Sequence, residues 1–100
     1  MKYSIEAIMN LEGDLASYNI LTSRYNYNIM VMRNLLLKLG TNDLYTRKLN
    51  VKKLTETKEE CFELLEEIEE TSEQLINDMY VLDMLLESVI YEYEDDKEGY

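Results

Sequence analysis

Apolar residues between positions 54 and 96 recur at helical spacing, and no Gly or Pro interrupts the run. Leu54, Cys61, Ile68, Leu75, Leu82 and Val89 return every seven residues. Leu65, Ser72, Met79, Leu86 and Tyr93 form a second sevenfold series four residues out of step with the first. Two interleaved series of this kind define the seam of a heptad helix, with Ser72 as a polar interruption. A strand has period two, which would bury the carboxylates between the apolar positions. The pattern therefore predicts a long amphipathic helix, helix B, over residues 54–94, roughly 60 Å at about 1.5 Å per residue. The acidic tail at 95–100 is expected to fray.

The first part of the chain repeats the theme over residues 3–39, helix A. Ile8, Leu15, Thr22, Ile29 and Leu36 make one sevenfold series; Leu11, Tyr18, Tyr25, Met32 and Leu39 make the other. Gly13 is the weak point, since Gly inside a helix costs about 1 kcal/mol relative to Ala. Gly40 is placed as a left-handed C-terminal cap. Thr41, Asn42 and Asp43 have the chemistry of a turn and an N-cap. A basic turn is expected over 40–53, with Leu44, Tyr45 and Leu49 closing the end of the core. Asn50, Thr55 or Thr57 stands as the cap of helix B, and Thr57 with Glu60 fits a capping box. Two helices of similar length with a short connection make an antiparallel hairpin. Folding back in this way sets the polar positions Thr22 and Ser72 at one level, a device that fixes register.

Each helix also carries apolar residues outside its seam. On helix A these are Met9, Ala16, Ile20, Tyr27, Met30 and Leu37; on helix B they include Ile76, Tyr80, Val81 and Met84. A two-helix hairpin covers one stripe per helix, and exposed apolar patches of this extent mark interfaces. The expected architecture is all-α: an antiparallel two-helix hairpin with heptad, coiled-coil-like packing, dimerising into a four-helix bundle through the Met9–Leu37 line.

Charge changes the picture next. The 100 residues carry a net charge of −11. Residues 1–53 hold eight bases against four acids, whereas residues 54–100 hold two bases against seventeen acids. Such a balance argues against direct binding to nucleic acid or to an anionic membrane. No apolar run approaches the ~20 residues of a membrane span, and the first residues lack the apolar core of a signal peptide. The single Cys61 forms no internal disulfide, so a reducing, cytoplasmic setting is expected. With no His and one cysteine in the seam, zinc and His-based catalysis are excluded, and no cofactor or metal is expected.

The outer face of helix B is acidic through Glu59, Glu60, Glu63, Glu66, Glu67, Glu70 and Glu73, and only Lys58 and Lys97 follow Leu54. An ordinary surface helix intersperses the signs. A one-sided rail of carboxylates can instead occupy a basic surface on another protein, in the manner of a nucleic-acid mimic. The simpler use of the same face is solubility. A vocabulary rich in Asn, Tyr, Ile, Lys and Glu without Trp or Pro suits an AT-rich genome. The leading expectation is thus a non-enzymatic phage or mobile-element type inhibitor of a host or defence protein. A structural or assembly factor, or a secreted helical-hairpin protein, working through the apolar stripe is the alternative.

Two family likenesses bear on these alternatives. Glu60 and Glu63 resemble the Glu-x-x-Glu pair of the all-α MazG-type nucleotide pyrophosphohydrolases, a likeness that implies Mg2+-dependent hydrolysis. Leu75 stands where that family's second helix would place the glutamate preceding Asp78. Tyr91 and Asp95 are similar to the C-terminal Tyr-x-x-x-acid spacing of the small secreted WXG-type helical hairpins. Leu39 and Gly40 depart from the Trp-x-Gly of that family's turn.

Overall fold

A computed structural model describes the backbone of residues 2–41 and 43–98 and the side chains of 3–41 and 43–94. It contains two helices, α1 (Lys2–Leu39, 38 residues) and α2 (Leu44–Glu98, 55 residues), and no strand among the described residues. The helices pack against each other in two compact units. The turn unit, Asn19–Glu70, holds the end of α1, the connection and the first half of α2. The terminal unit pairs Met1–Tyr18 with Thr71–Tyr100.

α1 runs through Gly13 without a break. Just past its end, the N–H (3.1 Å) and hydroxyl (2.9 Å) of Thr41 both donate to the Lys38 carbonyl. No described glycine has positive φ, so Gly40 is not the left-handed cap expected of it; the i−3 bonds of Thr41 occupy the free carbonyl instead. The connection is also shorter than expected. Asp43 caps α2: the Thr46 N–H donates to its Oδ1 at 2.7 Å, and the Arg47 N–H donates to its backbone carbonyl at 2.9 Å. The Thr46 N–H, then the Thr46 hydroxyl and the Tyr45 N–H, stabilise the carboxylate and hold its pKa below the ordinary 3.8.

Residues 44–53, expected as a basic turn, are therefore the first turns of α2. Thr55 and Thr57 lie inside the helix rather than at its start. Their hydroxyls donate back to the carbonyls of Val51 (3.0 Å) and Lys53 (2.7 Å). Leu44, Tyr45 and Leu49 remain exposed, and Thr46 and Asn50 are half-buried. The acidic tail continues the helix as far as Glu98, while Gly99 and Tyr100 lie outside the described residues.

In each helix, one of the two expected seam series is the enclosed one. On α2 these are Leu54, Cys61, Ile68, Leu75, Leu82 and Val89, all buried or half-buried. The companion series lies one residue earlier than the apolar pattern indicates. Thr57, Leu64, Thr71, Asp78 and Leu85 turn inward, whereas Leu65, Met79, Leu86 and Tyr93 are exposed. On α1 the series Leu11, Tyr18, Tyr25, Met32 and Leu39 holds and extends back to Ser4, but its companions are Ala7, Asp14, Leu21, Asn28 and Leu35. Ile8, Leu15, Ile29 and Leu36 stay exposed.

Each contact line is thus rotated by about 50°, half the 100° step between successive helical residues. Helix separation depends on the side chains at the contact. Ala7 and Thr57, which take the places expected of Ile8 and of a larger neighbour, are short and permit close approach beside larger members of the line such as Tyr18, Leu35 and Leu64.

Enclosed polar residues are Ser4, Asn28 and Thr57. The Thr22 hydroxyl donates back to the Asn19 carbonyl of its own helix at 3.1 Å, and Ser72 belongs to the other unit.

Candidate interaction surfaces

In the turn unit, Glu59, Glu63, Glu66 and Glu70 are exposed on the outward face of α2, with Glu60 and Glu67 beside them. Glu73 follows in the terminal unit and is also exposed. Steps of three and four residues hold these carboxylates in one row. Glu60 accepts a hydrogen bond at 3.4 Å from Nη2 of Arg24 on α1. Both side chains are about half exposed, so the pair is of the surface type worth roughly 0–1 kcal/mol. This engagement ties Glu60 to α1. Among the described residues, no group of three or more His, Cys, Asp or Glu is arranged to hold a metal ion. Phe62, 63% exposed, stands in the middle of the glutamates, an apolar element that the charge pattern did not bring forward.

The apolar line of α1 is exposed as well. Met9 and Ala16 lie in the terminal unit; Ile20, Tyr27, Met30 and Leu37 lie in the turn unit, and none of the six is enclosed. In the terminal unit, α2 adds a surface groove of about 500 Å3 lined by Ser72, Leu75, Ile76, Met79, Tyr80 and Asp83. No helix among the described residues is long and apolar enough to cross a membrane.

Two polar constellations inside the seam went unread in the sequence. In the turn unit, Asn28 is 7% exposed and lies near the buried Cys61, while its Nδ2 has no hydrogen-bond partner. Burial, reinforced by the charge of Glu60, pushes the Cys61 thiol up from 9.0, against a smaller lowering by Asn28. A thiol held in its neutral form is a poor nucleophile.

In the terminal unit, Asp14 of α1 and Asp78 of α2 are both half-buried and face each other. Asp78 Oδ1 accepts from the Gln74 amide at 3.1 Å, whereas its Oδ2 is enclosed without a donor. When protonated, Asp14 can donate to that carboxyl group. The hydrogen bond to Asp78, then desolvation and the repulsion between the two carboxylates, raise the Asp14 pKa above 3.8. Both residues occupy sevenfold positions of their helices, but the apolar pattern places the seam one residue away and so passes over them.

A raised folded-state pKa makes the proton stabilising. Its contribution is complete below the unfolded value and is lost as pH rises through the folded one. Asp14→Asn keeps a donor for Asp78 at every pH. The variant is therefore expected to melt higher than the wild type at pH 7, with the difference closing as pH falls toward 3.8. Thermal midpoints measured between pH 7 and pH 4 check this; parallel curves for the two proteins would refute it.

No protein-family model, curated protein or solved structure matches this chain.

Proposed function

We propose that the chain is a non-enzymatic interaction protein whose glutamate face on α2 occupies a basic, nucleic-acid-binding surface of another protein. In its sharpest form it is a small phage-type inhibitor of a host or defence protein. The observation that carries this reading is the persistence of Glu59, Glu63, Glu66 and Glu70 as an exposed row in the folded chain, with Phe62 set among them. Carboxylates in such a row steer a cationic partner and fix its register, and a central aromatic side chain supplies an apolar anchor.

The apolar line Met9–Leu37 supports a second role, self-association of two chains into a four-helix bundle with heptad packing. Both surfaces act together in this reading: one joins two copies, and the other engages the partner. The alternative, an assembly factor, uses the apolar line alone.

Changing Glu63, Glu66 and Glu70 together to Gln keeps side-chain size and helix propensity while removing three charges. Exposed substitutions of this kind shift stability by no more than about 0.5 kcal/mol. The thermal midpoint is expected to hold or rise while binding to the partner falls sharply and its salt dependence flattens. An affinity pull-down from the source cell at low and high salt identifies the partner. A variant that melts normally and binds that partner at full strength would move the working surface to the apolar line.

A further inference from the structure

Two carboxyl groups meet in the seam of the terminal unit, between lines of apolar side chains. Asp14 of α1 and Asp78 of α2 are half-buried and within hydrogen-bonding reach of each other. A bond between them needs a proton, because two carboxylates offer acceptors and no donor. Gln74 donates to Oδ1 of Asp78 at 3.1 Å, and the enclosed Oδ2 has no donor.

Among the described side chains of the terminal unit, no base stands beside the pair to replace that proton. The unit holds twelve acids and two bases, Lys2 and Lys97. Lys2 precedes Asp14 and Lys97 follows Asp78 by about 18 Å and about 28 Å along their helices. Both spans exceed the Debye length of about 8 Å in physiological salt. The neighbouring titratable groups are Glu12, exposed, and Tyr18, half-buried, on α1, with Glu73 and Asp83, both exposed, on α2. Ionising the pair therefore adds to the repulsion within an already acidic unit.

Little apolar burial opposes that repulsion. Only Ala7 and Leu82 are enclosed hydrophobic residues in this unit, while Leu11, Leu75, Leu85 and Val89 are half-buried. Segments with few buried apolar contacts open at low cost in free energy.

We propose that the terminal unit is a proton-operated clasp, closed when Asp14 and Asp78 share a proton and opened when both ionise, while the turn unit keeps its packing. A proton held by the closed unit stabilises it, so closure is strongest in acid and weakens as pH rises toward neutrality. This is the reverse of ordinary acid loosening, in which paired carboxylates lose their partners. Opening uncovers Leu11, Leu75, Leu82 and Leu85, and acidification withdraws them. The turn unit lacks such a response. Its enclosed polar residues, Asn28 and Thr57, carry no charge, and the lowered pKa of the Asp43 cap keeps that group ionised in mild acid. The inference is independent of the glutamate row and of self-association.

The test is amide hydrogen exchange followed by mass spectrometry at micromolar concentration, each rate being divided by its intrinsic rate at that pH. In the wild type, protection of residues 3–18 and 71–94 is expected to rise about twofold or more between about pH 7 and about pH 4.5, with residues 19–70 unchanged. Asp14→Asn donates to Asp78 at every pH and is expected to show the acid level of protection at neutrality. Asp83→Asn removes an equal charge from an exposed position and is expected to keep the wild-type response. Wild-type protection that ignores pH, or rises equally in both units, would overturn the clasp. So would an Asp14→Asn protein that keeps the full response, or an Asp83→Asn protein that loses it as completely, since net charge would then suffice. The wild-type comparison of the two units decides by itself should Asp14→Asn fail to fold.

Discussion

Leu64→Ala is expected to be the most damaging single truncation in the chain. Leu64 is 2% exposed, the most enclosed of the core side chains, and sits in the turn unit one helical turn from Cys61. Removing a buried Leu side chain costs about 2–5 kcal/mol, the transfer term plus the cavity left behind. A small domain has only about 5–15 kcal/mol of stability in total, and a core this thin belongs at the low end. The neighbouring Leu65→Ala supplies the control. Leu65 is 43% exposed although the apolar periodicity places it in the seam, so its truncation should cost far less. Urea unfolding followed by circular dichroism at one fixed protein concentration checks both variants, since association makes stability concentration-dependent. An equal or larger loss for Leu65→Ala would restore the contact line to the unrotated seam.

Ile20→Glu and Met30→Glu are expected to abolish self-association at micromolar concentration while leaving the helices formed. Both residues are exposed in the single chain, 61% and 41%, so neither change places a charge in the intrachain core. Full burial of a side chain of this size contributes about 1.5–3 kcal/mol. Each 1.4 kcal/mol is a factor of ten in the dissociation constant, so losing that burial alone weakens association about tenfold or more. The desolvation of an unpaired carboxylate adds to the loss. Sedimentation velocity across a concentration series reads the change, and circular dichroism confirms that the helices persist. A wild-type monomer, with both variants as stable as the wild type, would end the self-association reading. It would also leave the exposed apolar line without a use in joining copies.

Helix type and approximate extent were legible because they depend on local chemistry. A Gly- and Pro-free run with three- and four-residue apolar steps has few alternatives to a helix, and Asp43 bears the side chain of a helix cap. The start of α2 was harder to read, because Asp43, Asn50, Thr55 and Thr57 all carry capping groups. Which of them caps is decided by where the backbone N–H groups fall free. At Asp43 the Thr46 N–H is available at 2.7 Å; at Thr55 and Thr57 the helix already surrounds the side chain, and the hydroxyl bonds the carbonyl four residues earlier.

The candidate surfaces divide along the same line. The glutamate row and the Met9–Leu37 line follow from spacing on one helix, and the fold leaves both exposed. The Asp14–Asp78 contact, the Asn28–Cys61 contact and the Arg24–Glu60 pair each join α1 to α2, and no spacing within one helix encodes them.

By itself, then, the sequence determined two helices, their outward faces and the separation of charge along the chain. Only the tertiary structure decided which flank of each apolar stripe meets the other helix. Hydrophobicity ranks Ile8, Ile29 and Leu65 above Ala7, Asn28 and Thr57, but close approach of two helices favours short side chains on the contact line. That preference depends on both surfaces together and has no signature in either helix alone.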